Sequence, residues 1–154
     1  MKNWPVDGNY KLWVLLAQTR EAMLKSRQKE LGRYNISPRQ NAVLLFLQVA
    51  GDKATPAEIS RGLFRESHTI SEILSRMEKQ GLLKRVKDLT RKNLVRVELT
   101  EQGRDTCIRS TRRESIHKIL SVLSSEERQQ LELYLRRLRD KALQLIKKKK
   151  PLFP

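Results

Sequence analysis

Apolar residues recur at helical spacing in the middle of the chain. Between positions 67 and 80 they stand at i, i+3, i+4 and i+7, namely Ile70, Ile73, Leu74 and Met77. This period places them on one face of an amphipathic helix. Ser67 can cap the helix, and Gly81 can end it. The opposite face of the predicted helix is polar, so it is available for binding a partner.

A second helix start stands just before this segment. The stretch Thr55–Glu58 reads Thr-Pro-Ala-Glu, in which Thr is a favourable cap, Pro fits the first helical position and Glu can bond back to the cap. A short helix to about Leu63 is therefore predicted, followed by a break at 64–66. Two helices separated by so short a break are typical of a helix-turn-helix.

An alternating pattern follows these two helices. It predicts short strands at 82–87 and 94–99, joined by a polar turn. In the second strand the residues expected to point inward are Val95, Val97 and Leu99. The hairpin has six basic residues between positions 84 and 96 and a single acid, Asp88, so it is suited to lie on phosphates. A helix-turn-helix followed by a basic hairpin predicts a winged-helix unit that binds DNA.

Longer helices are predicted on either side of this unit. Their expected limits are Asn9 to Leu31, Ser37 to Gly51, Thr100 to about Val122, and Ser124 onward. The fold class expected is mainly α with a small β-hairpin wing. We predict a single domain over residues 1–154, with a winged-helix lobe at 36–100 and dimerisation helices in 1–35 and 101–154.

The two ends of the chain hold more apolar residues than one domain of this size can cover. The residues expected at a dimer interface are Trp4, Tyr10, Trp13, Leu131, Leu135 and Leu138. If the two ends bury each other's surface across a two-fold axis, the result is an isologous dimer. The alternative is a monomer whose first helix forms its own core.

Charge and composition favour a polyanionic partner and argue against several other classes. The net charge of the 154-residue chain is +16, and the excess of basic residues extends over its whole length. No run of about 18 apolar residues could span a bilayer, and the amino terminus lacks a signal-peptide pattern, so we expect no membrane partner and a cytoplasmic location. One cysteine and two histidines offer no disulfide and no metal-ligand spacing. The glycines form no phosphate-cradling loop and no nucleophile stands beside a base, so neither catalysis nor a cofactor is expected.

The segments RMEKQGLL at 76–83 and LTEQG at 99–103, in this order around the basic hairpin, resemble the MarR family of transcriptional regulators. The resemblance extends over nearly the whole chain. It implies a homodimeric winged-helix repressor or activator that binds a short pseudo-palindrome in double-stranded DNA and is often released by a small aromatic or phenolic effector. The alternative is a non-regulatory architectural or RNA-binding winged-helix protein, which would bind all sequences alike.

The predicted DNA contacts fall on the polar helix and on the wing. On and just before the helix they are Arg65, Ser67, His68, Thr69, Ser71, Glu72, Ser75 and Arg76, and on the wing they are Thr90, Arg91 and Lys92. The wing departs from the family pattern, since Arg91 stands where many members have a second Asp. Glu72 either accepts a hydrogen bond from cytosine N4 or repels phosphate, and the sequence leaves both open.

The resemblance to the family implies an effector pocket where the dimerisation helices meet the lobe. Candidates for its lining are Trp13, Met23 and Cys107. In a helical pattern Cys107 is also the kind of small residue that proteins bury in a core. The lysines at 147–150 are expected to form a solvated helix end or to bind extra phosphates.

Overall fold

The computed structural model describes residues 7–51, 54–88, 91 and 93–147. Its elements in chain order are α1 (Gly8–Leu31), α2 (Pro38–Val49), α3 (Pro56–Gly62), α4 (Ser67–Lys79), β1 (Leu83–Lys87), β2 (Val95–Leu99), α5 (Glu101–Ser110), α6 (Glu114–Leu120) and α7 (Ser125–Leu145), with one 3₁₀ turn at Gly32–Tyr34. Strands β1 and β2 form an antiparallel hairpin. The prediction of a mainly α fold with a small β-hairpin is confirmed.

Most helix starts lie where the capping residues predict them. The side-chain oxygens of Ser37, Thr55 and Ser124 each accept the backbone N–H of the residue three positions on. The backbone N–H of each cap in turn donates to the side chain of that residue, which completes a capping box. The expected cap at Ser67 is wrong, because Glu66 is the extended N-cap residue and Ser67 is the first residue of α4. Glu66 makes no side-chain capping bond, so backbone geometry alone sets this start.

The predicted helix from Thr100 to Val122 is two helices. Helix α5 ends at Ser110, and α6 begins at Glu114 after Arg113, whose φ of 52° is left-handed. The carboxylate of Glu30 on α1 accepts the backbone N–H groups of Glu114 and Ser115 at 2.9 and 3.1 Å. The cap of α6 thus comes from 84 residues away, which is why the local sequence did not reveal the break.

The core is centred on the helix-turn-helix and its hairpin. Its fully buried side chains include Val43, Leu44, Leu47, Ile59, Ile70, Leu74, Met77, Val97, Leu99 and Cys107. Ala54 adds a bridge to β2, since its carbonyl accepts the N–H of Val97 at 2.9 Å. The inward placement predicted for Val95 is wrong, because this residue pairs with Lys87 at the far end of the hairpin and is 38% exposed. The hairpin extends beyond the core at that point. We call α2 to α5 with the hairpin the lobe, which extends the predicted lobe at 36–100 by α5, and we call α1, α6 and α7 the stalk.

A buried polar junction joins the stalk to the lobe. Arg27 of α1 is 7% exposed, and its Nη2 donates to Asn41 Oδ1 of α2 at 3.2 Å and to the Ser110 carbonyl oxygen of α5 at 2.8 Å. Its Nη1 lies 2.7 Å from Glu30 Oε2. Ser115 of α6 donates to the same Glu30 carboxylate. We call Arg27, Glu30, Asn41, Ser110 and Ser115 the Arg27 junction.

Glu30 makes the stability of the fold depend on pH in the acid range. Burial alone would raise its pKa, but the Arg27 guanidinium and the Ser115 hydroxyl and N–H outweigh burial and lower the pKa from 4.5 to about 2. The carboxylate therefore stabilises the fold above pH 4.5, and this contribution is lost as the pH falls towards 2. Glu30→Gln should lower the free energy of unfolding at pH 7 by about 3 kcal/mol.

Urea unfolding at several pH values and one fixed protein concentration measures this effect. The difference between Glu30→Gln and the wild type should shrink as the pH falls to 2. Glu114→Gln is the matched control, because that exposed carboxylate faces Arg33 at the longer distance of 3.8 Å. A difference that stays constant from pH 7 to pH 2 would contradict the prediction.

Candidate nucleic-acid interface

The outer face of α4 forms a shallow polar groove. Its lining residues are His68, Ser71, Glu72, Ser75, Arg76 and Lys79, around a volume of about 500 Å³. The face is directed outward because Ile70, Leu74 and Met77 on the other side are fully buried in the core. The structure thus brings together five of the predicted contact residues, and it adds Lys79.

Two predicted contacts on or near α4 lie elsewhere. Arg65 and Thr69 line a cleft between α1, the start of α2 and the start of α4, with a volume of about 600 Å³. Glu72 and Arg76 border both the cleft and the outer groove. Ser67 is exposed in the first turn of α4. The predicted set therefore divides between the outer face of α4 and a cleft facing the stalk.

The wing turn is organised by Asp88. Its Oδ1 accepts the backbone N–H of Arg91 at 3.0 Å, and its Oδ2 accepts from Arg96 Nε. Arg91 is exposed, and no ion pair involves its side chain in the part of the chain that the structure describes. Its charge is therefore available to a phosphate. Thr90 and Lys92 lie outside the described residues.

Arg85 of β1 connects the wing to α4, and the sequence did not predict this connection. Its Nη1 donates to Glu78 Oε2 at 3.2 Å, and its Nη2 donates to Ser75 Oγ at 3.1 Å. The ion pair neutralises an acidic residue of α4 beside β1. This pair forms only because β1 and α4 lie side by side in the fold. The helical period of α4 therefore could not predict it.

The stalk carries an uncovered apolar groove. Leu12 and Leu16 of α1 and a row on α7 line it around a volume of about 750 Å³; the row comprises Leu131, Tyr134, Leu135 and Leu138. Leu143 is the only buried residue of α7. Tyr10 and Trp13 are also exposed, at 53% and 69%. Trp4 lies outside the described residues. The predicted interface residues that are described thus lie on surfaces that no described segment of the same chain covers.

The residues predicted to line an effector pocket are dispersed. Cys107 is fully buried, with its Sγ 2.9 Å from Gln48 Oε1, so it lines no open cleft in one chain. Trp13 is exposed on α1, and Met23 is half-buried further along the same helix. The interpretation of Cys107 as a small buried residue is confirmed.

The cleft beside α4 is basic. Arg20, Arg39, Arg65 and Arg76 line it, and none of the four forms an ion pair within the described ranges. Burial, together with the nearby charges of Arg20 and Arg39, lowers the pKa of the Arg65 guanidinium. The cleft therefore holds more cations than the two acidic residues in its lining, Glu21 and Glu72, can balance, and an anion bound there would relieve the repulsion between the arginines.

Two other kinds of site are absent from the described segments. None of the helices there is long and apolar enough to cross a membrane. Within the same segments, no three side chains of the His, Cys, Asp and Glu types lie together as a metal site requires.

The sequence of this chain is similar to those of known transcriptional regulators. Residues 34–88 match the model of the MarR family. An 83-residue stretch is 34% identical to the uncharacterized HTH-type transcriptional regulator YsmB of Bacillus subtilis (strain 168), covering 53% of this chain and 56% of that protein. The chain thus spans little more than half the length of this relative.

Solved structures extend the similarity to the stalk. The organohalide-sensing RdhR transcriptional regulator, in its 2,4-dichlorophenol bound form, is 30% identical and has a TM-score of 0.89 over 97% of this chain and 92% of that one. MepR of S. aureus in complex with DNA is 23% identical, with a TM-score of 0.76 over 88% of this chain and 96% of that one. At that identity, the second similarity bears on the fold alone.

Proposed function

Because the chain belongs to the MarR family of DNA-binding transcriptional regulators, we propose that it acts as a homodimeric repressor on a pseudo-palindromic operator and is released by a small effector. The observation that carries the proposal is the placement of the outer face of α4 beside the basic wing, joined to it by Arg85. A helix and a wing on one side of a lobe fit a major groove and the adjacent backbone.

The uncovered groove of the stalk supports the homodimer. Helix α7 buries one residue of its 21, whereas a helix with this apolar content is stable only when its apolar side is covered. A second copy of the chain supplies apolar residues of the same kind across a two-fold axis. Two α4 helices then meet half-sites about 10 base pairs apart.

Selection of bound fragments from random DNA tests the proposal. A regulator should enrich one pseudo-palindrome and bind it about 10³-fold or more tightly than random duplex. The selected base pairs also decide between the two interpretations of Glu72, since an acceptor for cytosine specifies one base pair per half-site. Equal binding to all duplexes would favour an architectural protein, and preference for RNA would favour an RNA-binding one.

The wing gives a quantitative prediction. If the exposed Arg91 neutralises one phosphate per subunit, Arg91→Ala removes two contacts from the dimer. The slope of log affinity against log salt concentration should become shallower by about 1.8. Operator binding measured by fluorescence anisotropy from low to high salt provides the slope.

The control is Lys118→Ala, which removes an exposed cation from α6 in the stalk. Its slope should equal that of the wild type. An unchanged slope for Arg91→Ala would show that this side chain does not touch DNA, and the unusual wing would then indicate a different docking.

The basic cleft supports an acidic effector. Four guanidiniums without ion-pair partners in the described residues suit a carboxylate or phenolate, and the apolar side chains of Leu24, Leu63 and Ile73 in the same cleft suit an aromatic ring. The similar RdhR regulator has a form bound to 2,4-dichlorophenol. A ligand here lies between the stalk and the start of α4, so it can shift the lobe.

Titrating aromatic acids and phenols against the operator complex tests the effector proposal. Arg39→Met should raise the concentration needed for half release by about tenfold or more, because it removes a charge-assisted bond. Lys25→Met is the control from the same cleft, since Lys25 already faces Glu21 at 3.8 Å. If no compound in a broad panel weakens the complex, the proposed release by an effector is wrong.

A further inference from the structure

The Arg27 junction stands where the stalk meets the lobe. Arg27 and Glu30 belong to α1, whereas Asn41 and Ser110 belong to α2 and α5 of the lobe. Ser115 belongs to α6. One guanidinium with its carboxylate partner thus connects four helices, and it does so by bonds that require particular angles.

Stability alone does not account for a buried charge at this position. Burying an ion pair costs desolvation energy, and apolar residues of similar size fill such a space at least as well. The guanidinium of Arg27 is held on three helices, because Nη1 pairs with Glu30 and Nη2 donates to Asn41 and to the Ser110 carbonyl oxygen. Beyond what apolar packing supplies, this arrangement provides bonds that fix the orientation of the lobe on the stalk.

Helix α4 is packed in the core of the lobe, so its position relative to the stalk follows the orientation of the lobe on the stalk. In a dimer held by its stalks, rotating each lobe about the junction changes the distance between the two α4 helices. Neighbouring base pairs are about 3.4 Å apart along the DNA axis. A displacement of a few ångströms therefore changes the preferred separation of the half-sites by one base pair.

We propose that Arg27 is a positioning residue that fixes the lobe on the stalk and thereby sets the half-site spacing that the dimer accepts. The proposal rests on the proposed function as a homodimer bound to a pseudo-palindrome. It assigns operator specificity to a buried residue of the stalk that does not face DNA.

The experiment uses the full chain and a series of operators made from the selected sequence. Their half-sites are moved closer by one base pair, left unchanged, or moved apart by one or two. The affinity of the wild type should fall about tenfold or more per base pair moved, because the shift displaces and rotates the second half-site. Arg27→Met keeps the apolar stem and should reduce this penalty to about threefold or less, with base preference inside each half-site unchanged.

Two further variants separate positioning from stability. Asn41→Ala removes one acceptor of Arg27 but leaves the pairing of Arg27 with Glu30. This variant should also flatten the spacing profile. It tests the proposal even if Arg27→Met does not fold. Leu47→Ala opens a cavity in the lobe core without touching the junction, and it should keep the wild-type profile.

The outcomes distinguish this inference from the proposed function. A wild type that is monomeric or selects no operator overturns the proposed function itself. A wild type with a sharp spacing optimum that Asn41→Ala and any folded Arg27→Met retain overturns the positioning role alone. A Leu47→Ala profile as flat as theirs also overturns it, because loss of stability would then suffice.

Discussion

Replacing Leu135 and Leu138 together with Asp should convert the protein into a folded monomer that no longer binds its operator at micromolar concentration. Both leucines line the uncovered groove of the stalk and are 44% and 51% exposed in one chain. The substitutions therefore bury no charge in a single subunit, whereas a dimer would bury four carboxylates. Placing a charge in an apolar environment costs several kcal/mol per group. The dimer dissociation constant should rise by about 10³-fold or more.

Light scattering and operator binding measure the two consequences. The wild type should have twice the 18.1 kDa mass of the chain, and the double variant should have the mass of a single chain. The control carries the same added charges at Val49 and Gln129, which are both exposed and do not line the groove. Circular dichroism must show that the double variant keeps its helices. A double variant that stays dimeric would place the interface elsewhere.

Gly103→Ala should strongly destabilise the lobe. A Cβ at this position would lie 1.9 Å from the carbonyl oxygen of Leu82, which is a backbone atom and cannot rotate away. The same oxygen accepts the N–H of Thr100 at 3.2 Å and so holds the start of α5 against the base of the hairpin. Moving the helix away disturbs both contacts. The free energy of unfolding should fall by about 3 kcal/mol or more.

Urea unfolding at one protein concentration measures the loss. Gly32→Ala is the matched control, because a Cβ there meets nothing within 4 Å and its φ of −55° suits any residue. Its stability should stay within about 0.5 kcal/mol of the wild type or rise slightly. Equal stabilities for Gly103→Ala and Gly32→Ala would show that α5 can shift at no cost. The prediction also gives a physical reason for the glycine that ends LTEQG, since only a residue without a side chain allows this approach.

Local signals in the sequence determined most of the elements of the fold. Ser37, Thr55 and Ser124 begin their helices because each cap satisfies backbone N–H groups within four residues. The outward face of α4 followed from the period of Ile70, Leu74 and their neighbours, since burying one face of a helix exposes the other. These interactions are short in sequence, so the order of residues was sufficient to predict them.

The candidate interface could be predicted in its location but only partly in its composition. The sequence placed His68, Glu72 and Arg76 on one exposed face, and the structure brings them together. It could not place Arg65 in the cleft with Arg20 and Arg39, because these residues come from separate segments of the chain. For the same reason it missed Arg85, whose partners are on α4.

Only the tertiary structure decided how the stalk is joined to the lobe. The break before α6 and the burial of Arg27 both depend on Glu30, which meets residues more than 80 positions away. A charge at position 27, on the same stripe as Leu24 and Leu31, was a signal in the sequence, but its partners were not. A buried charge is tolerated only where the fold supplies its bonds, and the sequence of α1 does not contain Asn41 or Ser110. The order of neighbouring residues therefore determined the helices and their faces. Packing between distant segments decided how the helices are joined.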